Sequence, residues 1–305
     1  MNVLITGGRG FVGRYLVRLL KETGHQPIVL NPNFDITGIN NAAFKALKGV
    51  EIDAVVHLAA LLMIDGHQAT EYFRVNSLGT LNVLEFCRYH GVKKFIYTMT
   101  HSDLNGTDGV ISSNDPVNFK TGSWEHNSIP FITSKIAGQL MLEAYYRAGA
   151  FLQAYTLRLS NIRGYGSKDA KYNCVFHQFI QKAIKGEDIE IWGNPPKTRR
   201  DIIYVKDVCY AIIDAINTRT KEYKLLNIGS GIGYTIEEEA KEIIEVFSPA
   251  DNKSRLIYRP DIEEVRKKGQ IFDRVDAWAA LNWKPKYSYR EALQDYKYEM
   301  EKNLK

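Results

Sequence analysis

Cysteine is scarce: the chain has three in 305 residues, Cys87, Cys174 and Cys209, too far apart for a metal knuckle or a disulfide framework. They read as small buried apolar residues in a reducing compartment, and no metal site is expected. Long apolar runs are missing too. The best candidate for a membrane span is broken by His57 and Asp65, so no membrane partner is expected. The strand-like Val3-Leu4-Ile5 lies so near the first residue that a signal peptide has no room, which makes the expected location cytoplasmic. Charge of one sign is not concentrated. The net +5 comes from 40 Lys and Arg against 35 Asp and Glu, scattered rather than striped, which argues against a nucleic-acid partner. A few of these cations would suit an acidic small molecule. Hydrophobic residues at 45% and charged residues at 25% exclude disorder and suffice for one large domain or two intimate ones.

Short apolar runs alternate with amphipathic stretches over the first 160 residues or so. Val3–Ile5, Ile28–Leu30, Ala54–Leu58, Lys94–Thr98 and Gln153–Leu157 read as strands and Val12–Thr23 as a helix stopped by Gly24. Such alternation implies right-handed crossovers and a parallel sheet covered on both faces. Asp103–Asn127, rich in Gly, Ser, Asn and Asp, reads as a long functional loop. Thr133–Ala148 reads as a helix with Ile136, Leu140, Met141, Ala144, Tyr145 and Ala148 on one stripe and Leu142 and Tyr146 on a second face. One face would pack on the sheet and the other on a second copy, so a homodimer through Tyr72–Tyr89 and Thr133–Ala148 is expected. Beyond Gly164 the pattern is mixed around a helix at Val175–Ile184. Val205–Asn217 and Leu225–Ile228 return to the sheet layer. Helices near Ile236–Phe247, Arg274–Leu281 and Arg290–Lys302 supply a smaller domain. The fold class is therefore α/β, a Rossmann-type doubly wound parallel sheet with a smaller C-terminal α/β domain.

TGGRGFVG directly follows the first strand and opens the first helix. There Gly7 would make the tight turn, Gly10 would let the backbone approach a pyrophosphate, and Gly13 would let helix and strand pack closely. The helix N-terminus would offer N–H groups to the phosphates. An acid usually meets the ribose 2′-hydroxyl of NAD at the end of the second strand. Here that position is Asn31, and Arg9 inside the glycine turn could meet a 2′-phosphate. The cofactor is NAD or NADP, with a slight lean to NADP.

Beyond the glycine turn come Asp35-Ile36, HLAA at His57–Ala60, RVNSLGTLNV at Arg74–Val83, PFITSK at Pro130–Lys135 and LRLSNIRGYG at Leu157–Gly166. Then follow IWGN at Ile191–Asn194, RRDIIYVKDV at Arg199–Val208, LNIGSG at Leu226–Gly231 and YRPD at Tyr258–Asp261. In this order and spacing they make the chain resemble, nearly end to end, an extended short-chain dehydrogenase/reductase of the nucleotide-sugar epimerase/dehydratase group. The resemblance implies a dinucleotide domain over 1–163 with 201–230 returning to it, and a nucleotide-sugar domain over 164–200 and 231–305. By the same resemblance Gly7, Gly10, Phe11 and Val12 would contact the pyrophosphate, and Asp35 with Ile36 the adenine. Leu58, Ala59 and Ala60 would line the nicotinamide-side ribose, Asn76 would support the sheet edge, and Thr98 would face the cofactor. Lys135 would bond the ribose, and Leu159 and Ser160 would lie near the carboxamide. Asn161, Arg200 and Arg259 would hold the diphosphate of a nucleotide diphosphate sugar, and Trp192 would lie beside its base. Guanidinium forks suit a diphosphate and an aromatic face suits a base. The alternative for Arg200 and Arg259 is ion pairing with their neighbours Asp201 and Asp261.

Members of this group take or return a sugar hydroxyl proton with a tyrosine in Y-x-x-x-K, partnered by Ser or Thr. Here Lys135 and Thr100 hold their positions, but Phe131 stands where the tyrosine belongs. A phenylalanine transfers no proton, and losing a positioned acid/base costs about two to four orders of magnitude in rate. Three readings follow: a deliberate Tyr-to-Phe change, use of another group (His101, Asp103 and His126 are near in sequence), or binding retained without chemistry. The first is favoured because Thr100, Lys135, Asn161 and Arg200 all remain. The Asp-Glu pair of sugar dehydratases is replaced by His101 and Ser102, which disfavours dehydration. The expected function is hydride transfer at a sugar carbon, of 4-epimerase type and impaired by Phe131. The alternatives are a 4-keto-nucleotide-sugar reductase and a non-catalytic NAD(P)-binding regulator.

Overall fold

The computed structural model describes residues 1–30, 35–38, 47–63, 66–104, 106–117, 128–167, 174–193, 197–262 and 268–303. Asn31, Asp65 and His126, singled out above, lie outside the described residues. Six parallel strands form the central sheet: β1 (Asn2–Thr6), β2 (Gln26–Val29), β3 (Ala54–His57), β4 (Lys94–Thr100), β5 (Gln153–Leu159) and β6 (Tyr223–Ile228). Their spatial order is β6-β5-β4-β3-β1-β2. The chain thus runs outward from β1 to β2 and then crosses back to lay β3 on the other side of β1. In an open parallel sheet this reversal leaves a crevice at the carboxyl ends of the two central strands, where ligands bind.

Alternate side chains of each strand go to opposite faces, and both faces are covered. Val3, Ile5, Ala54, Val56 and Ile96 pack with helices α1 (Phe11–Glu22) and, beyond β5, Val205–Asn217; Leu4, Val55, Phe95 and Tyr97 pack with α2 (Gly79–Tyr89) and α3 (Ile129–Arg147). The near-continuous apolar runs of these strands follow from that double burial. Helix α1 presents Leu16, Leu19 and Leu20 inward and ends where Gly24 adopts φ +80° and His25 N–H donates to the Leu20 carbonyl at 2.8 Å. Val205–Asn217 (α5) follows α4 (Val175–Lys185) and is a helix packed on the sheet. Further helices among the described residues include α6 (Ile236–Phe247), α7 (Val275–Leu281) and α8 (Tyr289–Asn303). Phe176, Phe179 and Ile180 of α4, Ile243 and Phe247 of α6 and Tyr289 and Tyr296 of α8 close a separate C-terminal core with Ile189, Ile191 and Ile202.

Helix α3 corrects the expected stripe. It buries Phe131, Ile132, Ser134, Lys135, Ile136, Gly138 and Leu142, while Leu140, Ala144 and Ala148 are exposed. Apolar residues surround this helix, so their spacing cannot select a face. Small residues select it instead: a Cβ on Gly138 would lie 2.4 Å from the Tyr97 hydroxyl, and Tyr97 donates to the Lys135 carbonyl at 3.0 Å. The loop expected from Asp103 is also more structured than it reads. Its described part holds a single turn, His101–Leu104, and a strand, Gly109–Ile111, paired in parallel with Gln270–Phe272.

Candidate functional site

At the reversal point the glycine turn does what its spacing demands. Gly7 has φ +72°, and a Cβ there would lie 2.7 Å from the Ala59 nitrogen, so β1 and the segment after β3 touch backbone to backbone. A Cβ on Gly13 would lie 2.3 Å from the Gly7 carbonyl oxygen. Gly10 N–H donates to that oxygen at 2.9 Å and begins α1 with no side-chain cap and no acid in the first turn. This leaves an uncapped helix N-terminus aimed at the crevice, and the shape and charge fit a pyrophosphate. Phe11 and Val12 are half-buried behind it, and Arg9 is exposed with no ion pair among the described residues. Asp35 is exposed 3.6 Å from Arg74, and its carboxyl is held below the ordinary range mainly by the Thr37 hydrogen bonds. Ile36 is buried against Gly79, whose Cβ would lie 2.6 Å from the isoleucine Cδ1.

A buried polar chain supports the half-buried segment Leu58–Ala60. Ala59 N–H donates to Thr6 Oγ1 at 3.3 Å, Thr6 Oγ1 lies 2.6 Å from His57 Nδ1, and His57 Nε2 lies 2.9 Å from Thr80 Oγ1. Thr80 donates its own proton to the Asn76 carbonyl at 2.6 Å. His57 must therefore carry its proton on Nε2 and accept from Thr6 at Nδ1. Burial, with the charge of Lys135 a second cause, lowers its pKa to about 3. It is a neutral spacer that cannot act as an acid near pH 7. Asn76 lies in a widened π turn, Phe73–Leu78, between Ala69–Tyr72 and α2. Its amide bonds both the N–H and the carbonyl of Leu61, at 2.8 and 3.1 Å, and Ser134 Oγ at 3.1 Å. So Asn76 ties the loop after β3 to helix α3.

Helix α3 places Phe131 and Lys135 one turn apart on its buried side, 7% and 5% exposed. Lys135 Nζ sits 4.2 Å from the Tyr97 ring centroid, and burial lowers its pKa to about 7. Phe131 meets Tyr72 edge-on with ring centroids 5.9 Å apart. Tyr72 is no substitute acid, because its hydroxyl is engaged with the carbonyls of Leu62 and Met63 at 3.2 and 3.3 Å. Thr100 ends β4, and its hydroxyl donates to Ser102 Oγ at 3.1 Å. Thr98, two residues earlier, donates to the His57 carbonyl at 3.3 Å. Asp103, considered above as a replacement base, is buried against Arg158 at 2.8 Å. Burial pushes its pKa up to about 6, with Arg158 opposing. It is part of an internal ion pair with Arg158, which also bonds Asn227 at 3.2 Å.

The strand Asn161–Arg163 follows β5 immediately, and Leu159, its neighbour in the chain, is the register partner of Thr100. Here a cleft of about 470 Å³ opens, lined by Asn161, Arg163, Lys182, Glu190, Trp192 and Arg200 among others. Three of the five residues expected at a sugar nucleotide, Asn161, Trp192 and Arg200, therefore share one cavity, which Thr100 does not line. Arg259 does not line it. It bonds Asp261 at 3.2 and 3.0 Å and approaches Glu190 to 3.5 Å. Asp201, by contrast, does not pair with Arg200. It is buried and accepts from Ser160 Oγ at 2.9 Å, Ser230 N–H at 2.7 Å, Gly231 N–H at 2.9 Å and Phe272 N–H at 3.1 Å. Strand alternation explains the difference: adjacent residues point to opposite sides, so Arg200 faces the cleft and Asp201 the interior. Arg163 was missed, although its place two residues after Asn161 on a strand already put both on one face.

The glycine turn at the reversal point is that of a Rossmann fold, and a second cleft opens beyond β5. The model of the NAD-dependent epimerase/dehydratase family matches residues 3–229, and the chain belongs to that family. A UDP-N-acetyl-alpha-D-glucosaminuronate decarboxylase of Bacillus cytotoxicus is 28% identical over 277 residues, 84% of this chain and 83% of the relative. The crystal structure of UDP-glucose 4-epimerase with UDP-glucose from Thermotoga maritima is similar over 100% of both chains, with 25% identity and a TM-score of 0.83. MoeE5 in complex with UDP-glucose and NAD matches over 100% of both chains at 25% identity and a TM-score of 0.79.

Proposed function

We propose that this chain binds a nicotinamide dinucleotide at the glycine turn and a nucleoside diphosphate sugar in the adjoining cleft, with an active site of the 4-epimerase type that lacks its proton-transferring hydroxyl at Phe131. The observation that carries this reading is the convergence of Asn161, Trp192 and Arg200 on one cavity of about 470 Å³, one strand away from Thr100. In this reading Trp192 stacks on the base, Asn161 and Arg200 hold the diphosphate, Thr100 orients the sugar hydroxyl, and Lys135 anchors the ribose and tunes position 131. The bound dinucleotide supplies the hydride acceptor. A relative and two structural neighbours named for UDP-sugars support the ligand class. Because Phe131 slows chemistry, binding is the direct test. Calorimetry with UDP-glucose in the presence of NAD is expected to give saturable one-to-one binding, and no heat from UDP-glucose or from other nucleoside diphosphate sugars would sink the proposal. A regulator without chemistry has no need of a sugar-diphosphate cradle, so tight UDP-sugar binding also counts against that alternative.

We also propose a homodimer through α2 and α3. Phe73, Leu78, Tyr89 and Leu140 are exposed on these helices and the turn that leads into them, and apolar area left in water costs about 25 cal/mol per Å². Sedimentation equilibrium at micromolar concentration is expected to give twice the chain mass of 34.8 kDa; a monomer at that concentration removes the proposal.

A further inference from the structure

Strand β4 ends at Thr100, and the chain turns at once through His101–Leu104. The β4–β5 register ends there too, with Thr100 opposite Leu159. Two hydroxyls are locked together at this point. Thr100 Oγ1 donates to Ser102 Oγ at 3.1 Å and accepts the Ser102 N–H at 3.2 Å. Asp103, the next residue, ties this end of the turn to the sheet. Its Oδ2 accepts from Arg158 Nε and Nη2 of β5 at 3.0 and 2.8 Å, and Arg158 Nη1 donates to Asn227 Oδ1 of β6 at 3.2 Å. Asn227 donates its side-chain amide to the Ile111 carbonyl and its N–H to Ser113 Oγ, both at 3.0 Å. Arg158 shares its face of β5 with Ala154, which packs in the same core as Phe131, Ile132 and Ile136 of α3. The polar unit therefore closes the carboxyl ends of β4, β5 and β6 on the α3 side of the sheet.

Both charges are almost inaccessible, with side chains 2% and 0% exposed. Desolvating such a pair costs about what its attraction returns, and apolar residues of similar volume are often as stable or more so. Stability is therefore a poor reason for an ion pair here, and a fixed orientation is a better one. We propose that Asp103 and Arg158 are positioning residues, whose buried pair fixes the turn so that the Thr100 and Ser102 hydroxyls meet the sugar of a bound nucleotide sugar as one unit. The proposal rests on the reading of the cleft and of Thr100 given above. The guanidinium is planar and its donors point in fixed directions. Asp103 cannot slide along β5 without breaking both bonds to it. The consequence of looseness is large, since misplacing a positioned group by about 1 Å can cost about two orders of magnitude in rate.

Calorimetry with UDP-glucose and with UDP, NAD present throughout, reads the sugar end apart from the nucleotide end, with thermal unfolding alongside. Replacing the pair by apolar residues, Asp103→Leu with Arg158→Met, is expected to leave the unfolding midpoint and UDP affinity little changed. The ratio of UDP-glucose to UDP affinity is expected to fall at least fivefold. Arg158→Lys keeps the charge balance and loses the fork, so it guards against a folding defect and should lower the ratio by a smaller factor. Thr100→Val should lower the ratio by itself and add little to the apolar pair, because both changes remove the same contact. An unchanged ratio in the pair variants, full additivity with Thr100→Val, or parallel loss of both ligands with the unfolding midpoint overturns the inference while the nucleotide reading stands. If the unchanged protein binds UDP but not UDP-glucose, or Thr100→Val leaves the ratio as it was, the sugar reading fails and this inference falls with it. If neither compound binds, the nucleotide reading itself fails and takes the inference with it.

Discussion

Phe131→Tyr is expected to raise turnover on a nucleotide sugar by about two orders of magnitude or more, the effect of restoring a positioned acid/base. The ring of Phe131 is almost fully buried, edge-on to Tyr72, and a phenol adds one oxygen to nearly the same volume, so the fold should tolerate it. Lys135 lies one turn further along the same face. A phenol placed there meets two opposing influences: burial raises its pKa, and the cationic forms of Lys135 and of an oxidised nicotinamide lower it. The charges must prevail for the phenol to work near neutrality, and then activity climbs with pH as the phenolate forms. In the forward step the phenolate takes the hydroxyl proton while Thr100 holds that hydroxyl in place. With UDP-glucose and NAD, appearance of UDP-galactose marks the epimerase type, whereas consumption of a 4-keto-sugar with NADH or NADPH marks the reductase. If the tyrosine variant binds substrate and stays as slow as the parent on a broad nucleotide-sugar panel, a missing hydroxyl is not what separates this chain from an enzyme.

The residues at the glycine turn were legible because each answers a local demand. Gly7 needs positive φ, and Gly13 needs the absence of a Cβ that would strike the Gly7 carbonyl. The sheet was legible for a similar reason, since strands buried on both faces leave continuous apolar runs that end within a few residues of the observed bounds. Helix α3 was not. Its apolar residues surround it, and what chose the buried face was the room Gly138 leaves for Tyr97, a contact between segments 41 positions apart in the numbering. The pairing of Gly109–Ile111 with Gln270–Phe272 escaped for the same reason, because each partner is only three residues long and carries no period of its own.

In the cleft, residue type was a better guide than neighbourhood in sequence. Trp192 and Arg200, singled out by type and motif position, line the cleft. The suspicion that Asp201 pairs with Arg200 rested on adjacency, and strand alternation defeats adjacency. Asp103 failed as a catalytic candidate because its partner, Arg158, comes from β5, 55 positions away. Glu239 and Arg163 form one unit across 76 positions, and no spacing rule links them.

Arg200→Ala is expected to weaken UDP-glucose binding by a few kcal/mol, about a hundredfold or more, while NAD affinity and the unfolding midpoint change little. The division of labour between two consecutive residues is the reason. Asp201 carries the structural load, gathering donors from Ser160, Ser230, Gly231 and Phe272 in the interior. Arg200 is about a quarter exposed, with side-chain exposure of 23%, and its bond to Glu239 is long at 3.5 Å. Removing it leaves Glu239 with Arg163 and Tyr289, so the buried carboxylate is not orphaned and the fold loses little. A diphosphate in the cleft would lose one of its charge-assisted forks. The glycine turn lies at a different strand end and is untouched. Calorimetry of both ligands on both proteins, with thermal unfolding alongside, reads all three quantities. Equal UDP-glucose affinity removes Arg200 from the site, and a parallel fall in NAD affinity and unfolding midpoint reassigns it to the fold.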